Sequence, residues 1–143
     1  MKIIRWVLFM PLAFIAAFIA DFPLHWILYA TLSGGDNPFI TPYPKTPEII
    51  LSPFVHGLVL VWISAQVVPS KKMNVAYILY GAWIFISLGS YILLKLGVFD
   101  SFPIKLVENI WTVIAGILGC HIGVFAIRTQ LQKEISNLEE EDI

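Results

Sequence analysis

The stretch IADFPLHW, Ile19 to Trp26, decides the fold, because its reading determines whether the first apolar run is a short leader or a full membrane span. Lys2 and Arg5 precede an apolar run from Trp6 to Ala20, the layout of a secretory signal. Cleavage after Ala20 would, however, leave Phe18 at a position that requires a small residue. After Asp21, Pro23 and His25 the chain is apolar again to Leu32. The run therefore reads as one retained membrane helix carrying an aspartate, a proline and a histidine.

Composition agrees. Hydrophobic residues make up 58% of the 143 and charged residues 13%, and the mean hydropathy is +0.81, the profile of an integral membrane protein. A net charge of −1 supplies no basic footprint, which sets nucleic-acid binding aside. The single cysteine, Cys120, lies in an apolar run and excludes an intramolecular disulfide.

Crossing about 30 Å of hydrocarbon takes roughly 20 helical residues. Four runs qualify, at about 4–30, 49–68, 73–96 and 104–127, separated by SGGDNPFITPYPKTPE, PSKK and GVFDSFP. The sequence thus predicts an all-α, integral membrane four-helix bundle over residues 1–127. A Pro-rich outer loop at 33–48 and an acidic cytoplasmic tail at 128–143 complete the layout. Leu131, Ile135 and Leu138 recur at helical spacing, so the fourth helix is expected to run on into that tail. Lys2, Arg5, Lys71, Lys72, Arg128 and Lys133 fall on one side, against Lys45, Lys95 and Lys105 on the other. This bias predicts that both termini are cytoplasmic, in a multi-pass protein of a bacterial inner membrane.

Ionisable groups in hydrocarbon cost about 2.5–3.5 kcal/mol each on insertion scales, so each needs an account. Counted along the helices, Asp21 stands about 26 Å and His25 about 31 Å from the start of the first span. His56 and Glu108 lie roughly 10 Å and 6 Å below the outer starts of theirs. Asp21, His25, His56 and Glu108 therefore share one outer layer, and Asp21 and His25, four residues apart, share a helix face. Pro23 between them removes a backbone donor and predicts a kink.

Three chemistries use such a layer. Two imidazoles with carboxylates form an N/O set for zinc, or for iron or manganese if two metals sit together. His25 and His56 on neighbouring helices could supply both axial ligands of a haem. The same groups could relay protons, continued inward only by Gln66 and His121. The simpler alternative is that Asp21 or Glu108 pairs with Lys95 or Lys105, while His25 hydrogen-bonds to headgroups beside Trp26 and Tyr29.

His121 lies about 220° around the fourth helix from Glu108, so the two do not share a site. Glu108 instead continues through Thr112, Ala115, Gly119 and Gly123, a small-residue stripe that predicts close helix packing. Nucleophilic templates fail: no serine lies in a G-x-S-x-G setting, and His121 beside Cys120 points about 100° away from it on a helix.

The leading expectation is an accessory or assembly component of a larger membrane complex, with the bilayer and protein partners, or copies of itself, as its surroundings. A metal- or haem-dependent redox or hydrolytic protein, and a small oligomeric transporter or channel, are the alternatives.

Overall fold

A computed structural model describes residues 2–32, 46–97 and 110–141. They form four helices, α1 (Lys2–Leu32), α2 (Thr46–Val67), α3 (Lys72–Lys95) and α4 (Ile110–Glu141), with no strand among the described residues. Each contains a window long and apolar enough to cross a membrane. Helices are the expected solution, since backbone groups in hydrocarbon must be paired within their own segment. The chain is a small multi-pass membrane protein with an all-α bundle fold.

Helix ends differ from the sequence reading where backbone chemistry overrides composition. α1 remains helical through both Pro11 and Pro23. α2 begins at Thr46, inside the stretch expected to be loop, because a proline is tolerated in a first turn, where no helical acceptor exists for its missing N–H; Glu48 follows in the same turn, at the positive end of the helix dipole. Lys71 turns the chain into α3 with φ 56° and ψ 36°, and Gly97, just past the Leu96 cap of α3, has a φ of 74° that suits a residue without Cβ. α4 continues unbroken to Glu141. Glu108 and Lys105 lie outside the described residues.

The direction of each helix follows from its contacts. Between α1 and α2 the pairs run in opposite order, His25 with Glu48 and Asp21 with Ser52 and His56, so these helices are antiparallel. Between α2 and α4 the numbers rise together, from Phe54 against Gly119 to Gln66 against Gln130, so these two are parallel. Trp83 against Gly116 and Lys72 against Glu134 make α3 antiparallel to α4. The result is an up-down-up-down chain in which α2, α3 and α4 pack on one another and α1 packs on α2 alone.

Small residues set the α2–α4 approach. A Cβ on Gly119 would collide with the Phe54 carbonyl oxygen, and one on Gly57 with that of Gly116 and, at 2.9 Å, with Cys120 Sγ. A Cβ on Gly123 would stand 3.1 Å from both the Leu58 carbonyl oxygen and the Val61 Cβ. In lipid no hydrophobic driving force joins helices, so this close van der Waals contact is what holds the pair. Below it, Val61 and Ala65 of α2, with Val68 just past its end, meet Val75, Ala76 and Leu79 of α3 and Cys120, Val124 and Ile127 of α4 in one buried cluster.

Candidate functional site at the α1–α2 seam

Residues at intervals of four line the seam on both sides. On α1 the series is Ala13, Ala17, Asp21 and His25, and on α2 it is Glu48, Ser52, His56, Leu60 and Ser64. Four-residue spacing keeps side chains on one face, so two straight rows confront each other, polar at the Asp21 end and apolar at the Ala13 end. Ala13, Ala17, Leu60 and Ser64 are buried.

At the polar end the ionisable groups sort into two pairs. His25 Nδ1 lies 2.8 Å from Glu48 Oε1, an exposed contact. Asp21 turns instead to α2: Ser52 Oγ donates to its Oδ1 at 2.9 Å, and His56 Nε2 stands 3.2 Å from its Oδ2. His56 Nδ1 lies 3.0 Å from the Ser52 carbonyl oxygen and 3.3 Å from Ser52 Oγ. Asp21, Ser52 and His56 thus form a closed triangle, and the Phe18 ring stands nearly perpendicular to that of His56 at a centroid distance of 5.7 Å.

The hydroxyl of Ser52 donates to Asp21, and which ring nitrogen of His56 donates depends on its tautomer.

The residue types of a hydrolase triad are present, but their arrangement differs. In that template the base receives the serine proton and the acid touches only the base. Here the Ser52 hydroxyl is engaged by the acid itself, so it is not activated as a nucleophile.

Of the residues singled out by sequence, Asp21 and His56 meet, while His25 takes a separate partner. His25 and Asp21 do border one open groove of about 200 Å³ with Phe22 and Glu48. Among the described residues, no group of three His, Cys, Asp or Glu side chains converges as a metal site would require. A haem or metal shared by His25 and His56 would require both to leave these carboxylates. Among the described residues Lys95 is not paired with Asp21: its Nζ sits 5.6 Å from the centroid of the Tyr91 ring, one turn away on α3. Ala115 is buried, Gly119 and Gly123 lie against α2, and the exposed His121 ring stands 6.0 Å from that of Tyr80.

Gln66, the inward continuation a relay would need, belongs to a different cluster. Its Nε2 donates to Gln130 Oε1 at 2.6 Å, Gln130 Nε2 donates to Glu134 at 3.2 Å, and Glu134 reaches Lys72 at 3.8 Å. Between His56 and Gln66 lie roughly 15 Å of helix. The row there holds Leu60 and Ser64, whose buried hydroxyl has no partner among the described residues.

Two residues carry the site without having been singled out. Ser52 joins Asp21 to His56, and Trp83 of α3 closes the far wall of a cavity of about 280 Å³ beside them. Phe14, Ala17 and Phe18 of α1 and Ser52, Pro53 and His56 of α2 form the remaining walls. A second cavity of about 110 Å³ shares Phe14, Pro53 and Trp83 and extends toward Ser87, Ser90 and Thr112. The signal for Ser52 was its spacing, four residues from both Glu48 and His56. Comparison with known protein families, with characterised proteins and with solved structures returns no match, which leaves the geometry of this seam as the ground for assigning a role.

Proposed function

We propose that this small membrane protein binds a lipid-soluble molecule between α1, α2 and α3, with Ser52 and His56 as the polar end of the site. The observation that carries this reading is that Ser52 and His56, both held by Asp21, form part of the wall of an otherwise apolar cavity. An apolar pocket with a few convergent polar groups is the form that small-molecule sites take. Its volume of about 280 Å³ exceeds the roughly 150 Å³ that accommodates benzene in an apolar protein cavity. Phe14 and Phe18 are exposed on the surface that faces lipid, which gives such a molecule a lateral entry.

Native mass spectrometry of the full chain, released from membranes in mild detergent, tests this. A bound small molecule is expected on the wild type and is expected to fall several-fold in Phe14→Trp, which fills the cavity. An adduct pattern identical in the two proteins would sink the reading.

A second reading, an accessory component of a larger membrane assembly, is favoured by the loose attachment of α1 and α3. Only 11% of the spanning window of each is buried, against 50% for α4, and Phe85 on α3 is 80% exposed. The two roles are compatible. A photo-crosslinker at Phe85 should capture a second polypeptide in the native membrane, and capture of lipid alone would count against the assembly. The distribution of lysine and arginine supports a bacterial inner membrane with both termini inside, which cysteine labelling from either face would test.

A further inference from the structure

The triangle also restricts which molecule the site takes, an inference that rests on the ligand-binding reading above. Ser52 and His56 are its members that line the cavity. Both ring nitrogens of His56 are engaged, Nδ1 by the Ser52 carbonyl and Nε2 by Asp21, and the Ser52 hydrogen is directed to Asp21 Oδ1. No donor of these two side chains is left for a ligand. The Ser52 oxygen, however, has two lone pairs, and the 3.3 Å contact with Nδ1 engages at most one of them. Its hydroxyl already donates to a carboxylate, and a hydroxyl that donates in this way becomes a better acceptor.

We propose that the cavity takes a neutral, lipid-soluble molecule bearing a hydroxyl group, an alcohol or a phenol, which donates its hydrogen to Ser52 Oγ. At Ser52 a carbonyl compound of the same shape finds two acceptors face to face, and the buried Trp83 Nε1, without a partner among the described residues, lies against Gly116 of α4. An ammonium group, though a donor, would have to enter an apolar cavity as an unpaired charge, because Asp21 does not line it.

The test uses full-length protein in detergent with para-octylphenol and its methyl ether, which differ by the donated hydrogen. Binding is read from tryptophan emission, assigned to Trp83 by its loss in Trp83→Phe. The phenol is expected to bind about ten-fold tighter than the ether, the size of one net hydrogen bond. Ser52→Ala should bring the phenol down to the level of the ether, and Ser52→Thr, which keeps the oxygen, should restore the preference. Equal affinities for the two probes would overturn the hydroxyl assignment and leave the ligand-binding reading standing. Absence of saturable binding by either would overturn both. Should Ser52→Ala not fold, the wild-type ratio and Ser52→Thr decide the matter.

Discussion

His56 Nε2 lies 3.2 Å from Asp21 Oδ2 while the Ser52 hydroxyl donates to Oδ1 of the same carboxylate at 2.9 Å, so Asp21 ties both side chains of α2 to α1. Asp21→Asn supplies an amide hydrogen in that position. Its Nδ2–H can donate to a neutral Nε2 while Oδ1 still accepts from Ser52. Asp21→Asn is therefore expected to change stability by less than about 1 kcal/mol. Asp21→Ala leaves both the Ser52 hydroxyl and a ring nitrogen without their partner and should lose roughly 1–3 kcal/mol. Reversible unfolding of the two variants in mixed micelles measures the contrast. Equal losses would mean that an amide cannot take the place of the carboxylate in the triangle.

The glycines separate by position. Gly119→Ala drives a Cβ into the Phe54 carbonyl oxygen, where backbone cannot give way cheaply, and is expected to destabilise the α2–α4 pair by about 1–3 kcal/mol. Gly81 and Gly89 of α3 have open space around them, so alanine there should be neutral or stabilising, by up to about 1 kcal/mol from helix propensity. Gly116→Ala is intermediate: its Cβ would stand 2.6 Å from Trp83 Nε1, so the indole must shift and the cavity it borders changes shape. Thermal unfolding of the four variants gives the order. A Gly119→Ala protein as stable as Gly81→Ala would mean that the helices do not approach at this glycine.

Much of the fold was legible because lipid is a demanding solvent. Any run such as Lys72–Lys95, apolar over a full crossing, has few options besides a spanning helix. The shared face of Asp21 and His25 was legible for the same reason, since it depends only on spacing within one helix. Which groups they meet depends on how α1 slides along α2, and no spacing within a helix fixes that. One helical turn of slide would exchange Glu48 for Ser52 as the neighbour of His25. The matching rows, Asp21 and His25 against Glu48, Ser52 and His56, hold the information jointly, and it becomes readable only once the two helices are set side by side. Trp83 had no local signal, because its role comes from the α3–α4 approach at Gly116.

At the opposite end of the bundle, where α2 and α3 meet α4, hydrogen bonding rather than charge is expected to carry the stability. Gln66 and Gln130 are joined at 2.6 Å and part-buried, so Gln66→Ala leaves an amide partner unsatisfied and should cost about 1–2 kcal/mol. Lys72 and Glu134 are 3.8 Å apart with side chains 26% and 50% exposed, so Lys72→Ala should cost less than about 0.5 kcal/mol, and less still in high salt. Unfolding free energies at low and high ionic strength distinguish the two. A larger, salt-sensitive loss in Lys72→Ala would reverse the assignment.

The two histidines provide the sharpest test of how the polar layer is organised. If His25 and His56 shared a metal or haem, removing either would disable the centre, and removing the second would add little. The structure gives each its own carboxylate, Glu48 and Asp21, on successive turns of the seam. Loss of His56 leaves Asp21 with Ser52 alone and should cost roughly 1–3 kcal/mol, whereas the exposed His25 contact should contribute about 0–1 kcal/mol. The two losses should add within about 0.5 kcal/mol in a double-mutant cycle of His25→Ala and His56→Ala, although the groups lie on the same seam. A coupling above about 1 kcal/mol would show that the histidines act on one centre. A matching loss of stoichiometric zinc or iron in either single variant would identify that centre as a metal site.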